Sequence, residues 1–406
     1  MKTPGYIEKP LYYSLKNSQI IDRIPEKKTN QNPENKSGII QLMLFGCNFF
    51  PYCIYDNIIP LISNLKLISS DKIERESSKI NHEKKITREE NEFFENEMEK
   101  IFNEFLKKTG KKPYILFSGG LDSTIILHKT ASNHPIAGVS VYMPDQKEDV
   151  EKAFEHYEVK KVFYEYPDSE RYFELLQSYK FNYPFINAGF ADDFFHVKNA
   201  SAINATSVIT GIGADEICGD YRIVKHEEKI ITFQTFMEKY SFFDKEIIFS
   251  IFNNQEVKEI WENSISNFDL ESTLGRIDFV VNTFFLNNQL ALIWNNSELN
   301  QNIKRISPYS TSEFFNLINK LPEDFIENNN MEKYFLRKYS SKFLKGKIWA
   351  KKSKDFNVNA EKLTSPKLKD YINHNYKKIF NQSQLDIKKI SPDEQLKMSI
   401  LIKLLS

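Results

Sequence analysis

Two regimes of apolar patterning divide the chain. Between residues 113 and 210 the apolar positions come in short runs bounded by turn residues: Pro113–Phe117 (PYILF), then 136–142, 159–166 and 207–210. Runs of that length, apolar on both faces, predict buried parallel strands. The segments between them have helical spacing, and β-α-β-α alternation predicts a doubly wound parallel sheet. Upstream, Phe94, Met98, Ile101, Phe102 and Phe105 recur at three- and four-residue intervals and predict a helix. Thr87 with Glu90 forms its capping box and Gly110 its C-terminal cap. From about residue 230 the runs become helical in length (232–252, 276–294, 312–321, 331–344) and strand alternation stops.

The first 70 residues carry strand-like runs at 5–13, 38–46 and 57–68, separated by a polar stretch, KKTNQNPENKSG, that reads as an exposed loop. Residues 69–90 are charged and read as a linker. The chain is therefore expected to be an α/β protein: a doubly wound parallel sheet with a helical C-terminal half and a short N-terminal β-containing piece. The expected divisions are a short N-terminal domain over 1–85, the α/β unit over 86–357, and a helical extension over 358–406 that ends in a helix at Pro392–Leu405.

Composition narrows the function classes. Of 406 residues 41% are hydrophobic and 14% aromatic, enough for a large core. Lys plus Arg and Asp plus Glu each total 55, so no net charge draws the chain to nucleic acid. Three cysteines (Cys47, Cys53, Cys218) make no disulfide framework or zinc spacing. No leader pattern opens the chain, and no run reaches the roughly 18 apolar residues of a membrane span. The expectation is a cytoplasmic protein with neither nucleic-acid nor membrane partners.

The chemistry is concentrated in Ser118-Gly119-Gly120-Leu121-Asp122-Ser123, placed between a buried strand and a helix. Two glycines allow a tight turn and close approach of a ligand. The exposed N–H groups and the helix dipole face an anion. The hydroxyls of Ser118 and Ser123 suit phosphate oxygens, whereas Asp122 makes sense as a ligand to Mg²⁺ bridging phosphates. The segment is similar to the pyrophosphate loop of N-type ATP pyrophosphatases. A second segment, Thr210-Gly211-Ile212-Gly213-Ala214-Asp215-Glu216 followed by Gly219-Asp220-Tyr221, resembles the signature of the asparagine synthetase synthetase domain, with Asp220 in place of a usual glycine. That domain also occurs in β-lactam synthetases and lasso-peptide cyclases. Fainter likenesses lie at 45–67, at Arg305–Tyr309, at Leu321-Pro322 with Glu332–Arg337, and at 348–356.

The resemblance implies ATP and Mg²⁺ as cofactors. It implies phosphates over Ser118, Gly119, Gly120, Asp122, Ser123, Gly211 and Gly213, adenine against the backbone at Val139, Ser140 and Val141, and magnesium between Asp122 and Asp215. It also implies a catalytic lysine in the segment 348–356. Lys352 aligns when the match is anchored on Trp349. Anchoring on Phe356 puts Ser353 there, flanked by Lys351 and Lys354. Glu216 is either a base or a group that holds its loop. Glu298 and Glu313 fall where relatives line the acyl site.

Two departures define the expected reaction. Glutamine-using members begin Met-Cys, and residue 2 here is Lys. Asparagine synthetases usually carry Glu between the glycines of the second signature, where Ile212 stands. The expected activity is therefore an ATP-dependent ligase that adenylates a small-molecule or peptide carboxylate for attack by an amine. The alternatives are an ammonia-dependent asparagine synthetase and a non-catalytic binding protein. A homodimer or a partner within a biosynthetic complex stays open. His128, on the helix after the first motif, reads as structural, and Asp192-Asp193-Phe194-Phe195 as a surface loop.

Overall fold

The computed structural model describes residues 11–17, 19–21, 35–61, 65–69, 72–75, 87–141, 154, 157–164, 168–219, 221, 223–224, 231–266, 268–281, 283, 290–322, 325, 333–344, 359–380, 386 and 389–406. Strands β1 (Leu11–Ser14), β2 (Gln19–Ile21) and β3 (Ile58–Leu61) form an antiparallel sheet of order β2-β1-β3, and β4 (Leu65–Ser69) pairs with β5 (Lys72–Arg75). The run at 38–46, expected as a strand, is instead helix α1 (Lys36–Phe45). It is apolar all round, so periodicity could not choose between the two. Its ends do: the Asn35 side chain accepts from Gly38 N–H at 3.2 Å, and Gly46 closes the helix in the left-handed region at φ 75°. Gln41, its one interior polar side chain, is fully buried. It donates to the Ser264 hydroxyl at 3.0 Å and accepts from Phe49 N–H at 3.0 Å.

Helix α2 (Arg88–Thr109) buries the predicted stripe of Phe94, Met98, Phe102 and Phe105 and ends at Gly110. The parallel sheet follows: β6 (Pro113–Phe117), β7 (Gly138–Val141), β8 (Val162–Tyr164), β9 (Ser207–Ile209) and β10 (Arg305–Ile306), in the order β10-β9-β6-β7-β8. The first four lie inside the four expected runs. β10 has only two residues, too few to announce itself by pattern. Helix α3 (Leu121–Ala131) leaves β6, while α4 (Ser169–Ser178) and α5 (Phe190–Ala202) precede β9. Helix α6 (Ala214–Ile217) follows β9.

The helical half is more broken than the apolar runs predict. Residues 232–252 divide into α7 (Phe233–Lys239) and α8 (Lys245–Ile251), where Asp244 starts a new helix. α9 (Asn254–Ile265) follows, and the predicted run at 276–294 takes in the end of α10 (Thr273–Val280) and the start of α11 (Leu290–Gln301), with residues 284–289 outside the described ones. α12 (Ser312–Ile318), α13 (Tyr334–Ser340), α14 (Ala360–Leu363), α15 (Pro366–Ile379) and α16 (Pro392–Leu405) complete it. One continuous apolar core joins α1, α2, one face of the sheet and α16, while Tyr114, Leu116 and Val208 on the opposite face form a smaller cluster with α5. The expected divisions at 85 and 357 thus separate segments that share a core. Backbone bonds from Ile186, Phe242 and Phe243 to the carbonyls of Gly46, Leu44 and Met43 sew the end of α1 into the α/β unit.

At Gly38 a Cβ would lie 2.0 Å from the carbonyl oxygen of Cys53, a backbone atom that cannot swing aside. Gly38→Ala is expected to destabilise the protein by about 3 kcal/mol through overpacking, read as a lowered urea midpoint. An unchanged midpoint would show that α1 can slide away from residues 53–54.

Candidate active site

Four segments meet at the carboxyl ends of β6 and β9, where an open α/β sheet binds its ligands. The first is the turn from β6 into α3. Gly119 takes a left-handed φ of 74°, and the turn is knitted by short polar contacts. The Ser123 hydroxyl lies 3.1 Å from that of Ser118 and donates to Gly120 O at 3.2 Å, while Thr124 donates to the same carbonyl at 2.7 Å. This places Asp122 in the first turn of α3. Its Oδ1 is buried without a hydrogen-bond partner among the described residues.

The second segment, Thr210–Glu216, lies against the first: a Cβ on Gly211 would sit 3.3 Å from Asp122 Cβ. Gly213 turns at φ 103°, a conformation L side chains rarely adopt, and its N–H donates to Glu216 Oε2 at 2.9 Å. The Tyr221 hydroxyl donates to the other oxygen, Oε1, at 3.3 Å. Glu216 is buried, and that burial pushes its carboxyl up to about 7, against the opposing pull of the backbone N–H groups and Lys333.

The third segment braces the other two. Ser307 donates to Ile212 O at 2.7 Å, and the Tyr309 hydroxyl to Asp122 O at 3.3 Å. The Tyr309 ring packs edge-on to Phe102 and Phe314. The fourth brings a residue whose role the sequence did not disclose. Lys333, buried and at a left-handed φ of 52°, places its ammonium between Asp122 Oδ2 and Asp215 Oδ1 and pairs with both. Its signal was the short likeness at Glu332–Arg337, outweighed by the lysine-rich stretch after Trp349. Lys351, Lys352, Ser353 and Lys354 lie outside the described residues.

Lys333 is aimed by α13, whose far end is anchored on α2 and α3. The Tyr339 ring stacks on Phe102 at 6.0 Å and its hydroxyl donates to Glu99 at 2.8 Å. Lys129 pairs with the same Glu99 at 2.7 Å and sits over Phe343, 4.4 Å from the ring centre. His128 stacks on Phe343 and bonds the Tyr157 hydroxyl at 2.9 Å, a structural position, and partial burial holds its imidazole below the usual value.

Other expected residues are not gathered in. Val139, Ser140 and Val141 are buried, and β7 is laddered to β6 on one side and β8 on the other, so only its carboxyl end points toward the crevice. Ser140 bonds the Tyr114 hydroxyl at 2.6 Å. Glu313 is exposed on α12, and the Glu298 side chain lies outside the described residues. Asp192–Phe195 is not a surface loop: it lies in the first turns of α5, with Asp192, Asp193 and Phe195 buried. The compensation is Arg305, on the strand that pattern missed, which bonds Asp193 at 2.6 Å.

A strand–turn–helix loop rich in backbone N–H groups, with a second acid-bearing loop at the neighbouring strand, defines a nucleotide-binding α/β protein built to hold phosphates. The chain matches the family model described as asparagine synthase over residues 109–397, and it belongs to that family, a family of ATP-dependent, amidotransferase-like synthetases of the ligase type. Its members use ATP, usually with Mg²⁺. No curated protein matches the chain. Among the described residues no helix is long and apolar enough to cross a membrane.

Burial and the neighbouring Asp193 push the Asp192 carboxyl from 3.8 up to about 7. In that window the native state keeps a proton that the unfolded chain has lost, so stability falls as pH rises from about 4 to about 7. Asp192→Asn removes this dependence. Its melting temperature relative to the parent should therefore rise steadily from pH 4 to pH 7, and a constant difference would contradict the assignment.

Proposed function

We propose that the chain is a glutamine-independent, AMP-forming carbon–nitrogen ligase. It adenylates a substrate carboxylate with ATP and passes the acyl group to an amine of a small metabolite or peptide. The observation that carries this reading is the convergence of Asp122 and Asp215 on one ammonium, beside a loop of backbone N–H groups at the carboxyl ends of β6 and β9.

The residues fit Mg²⁺. Asp122 and Asp215 offer hard oxygen donors, and Asp122 Oδ1 is buried with no hydrogen bond among the described residues. Among the described residues no group of three or more His, Cys, Asp or Glu side chains could hold a metal by itself. Two carboxylates suit a Mg²⁺ that takes its other ligands from phosphate and water. Asp122 and Asp215 would hold it, and when bound Mg²⁺ would neutralise the negative charge that grows on the departing pyrophosphate.

The chain's own groups do the rest. The N–H groups of the Ser118–Ser123 turn and the start of α3 cradle the β- and γ-phosphates. The Ser118 and Ser123 hydroxyls donate to their oxygens. The Lys333 ammonium offsets negative charge as the carboxylate attacks the α-phosphorus. Lys352 or Lys354 would add a second positive charge. Glu216, whose two oxygens accept from Gly213 and Tyr221, keeps the second loop in register. Ile212 presents no group that could take a proton from ammonium, which favours an organic amine over free ammonia as the nucleophile.

Purified protein with Mg²⁺ and a panel of carboxylates should show ATP–pyrophosphate exchange driven by one of them. Exchange should vanish in Asp122→Ala and fall by about 10²–10³ in Lys333→Met. Absence of exchange with every carboxylate, joined to absence of ATP binding by calorimetry, would sink the ligase reading.

A further inference from the structure

We propose that Lys333 is a stand-in cation. In the nucleotide-free protein its ammonium occupies the place between Asp122 and Asp215 and keeps free divalent metal out. It yields that place only to a metal that arrives on a polyphosphate. The inference rests on the ligase reading above and adds an order of binding to it.

The geometry carries the argument. Two carboxylates from separate loops meet on a single Nζ. The Lys333 side chain is 4% exposed and that of Asp122 13%, so solvent screens this pair little, while the Asp215 side chain is 45% exposed. Two carboxylates and one ammonium sum to a single negative charge. A bare divalent ion added to that set would compete with the ammonium for the same oxygens at close range. Removing the ammonium to make room leaves a buried charge short of its partners, which is strongly unfavourable. A polyphosphate resolves both problems. It brings several negative charges, so metal and lysine can both stay, and its oxygens receive the ammonium as the carboxylates turn to the metal.

The backbone at Lys333 fits a residue with two settings. It is not glycine, yet it holds a left-handed φ of 52° directly before α13. The far end of α13 is fixed through Tyr339 to Phe102 and Glu99, which leaves the Lys333 side chain as the part that turns between the two partners. Asp215, with a side chain 45% exposed, opens the crevice side to the incoming complex.

The test is Mn²⁺ uptake followed by electron paramagnetic resonance. Wild-type protein should leave Mn²⁺ free when alone or with adenosine, and take it up with α,β-methylene-ATP. Lys333→Met should bind Mn²⁺ without nucleotide at least about tenfold more tightly than wild type, because the two acids then lose the ammonium they share. Lys333→Arg should exclude it as wild type does. Equal uptake by nucleotide-free wild type and Lys333→Met, or none by a folded Lys333→Met, overturns the stand-in role and leaves the ligase reading intact. Failure of wild type to take up Mn²⁺ even with the analogue overturns the ligase reading itself. Should Lys333→Met not fold by circular dichroism, the wild-type series decides: uptake with adenosine or without nucleotide refutes the proposal, and uptake with the triphosphate alone supports it.

Discussion

A buried ammonium shared by two carboxylates is the constraint around which the site is arranged. Breaking such a cluster by removing one member typically costs about 3–5 kcal/mol, because a charge is stranded away from water. Asp122, Asp215 and Lys333 start three different helices, and Asp122 and Lys333 stand 211 residues apart in sequence. Their meeting requires three helix starts to be held within a side chain's length of one another. The means are visible. Gly211 lets the second loop lie against Asp122, and Ser307 and Tyr309 tie both loops from behind. The aromatic footing of Tyr339 on Phe102 fixes the helix that carries the lysine.

That footing links the site to the core. Phe102 belongs to the stripe of α2 that packs under the sheet, and its ring meets Tyr309 as well as Tyr339. One buried ring therefore touches both the brace of the acid loops and the helix that aims the cation. The N-terminal segment joins the same core through α1. Its buried Gln41 and sewn-in C-terminus make it a structural part of the nucleotide-binding unit rather than an appendage.

Much of this was legible, for identifiable reasons. The central strands and the two glycine-rich loops advertise themselves because their function forces local composition: strands buried on both faces must be continuously apolar, and phosphate loops need glycine. The stripe of α2 was legible for the same reason. What stayed hidden depends on tertiary contacts. α1 reads equally well as strand or helix, since every side is buried. Asp192 and Asp193 look like surface acids until Arg305 arrives on a two-residue strand. A lone lysine before a short helix carries only the faint likeness at Glu332–Arg337, whereas the lysines after Trp349 attract attention by number.

The carboxyls near the loops divide the work by environment. Glu216 is buried with hydrogen-bond donors, and its carboxyl sits near neutrality, so it changes charge around physiological pH. Either protonation state leaves an oxygen able to accept the Gly213 N–H, and that bond favours the ionised form. Asp122 and Asp215 are bound instead to a cation, and their arrangement is set by charge balance. Lys333 is held both by these ion pairs and by the helix behind it, whose Tyr339 ring stacks on Phe102.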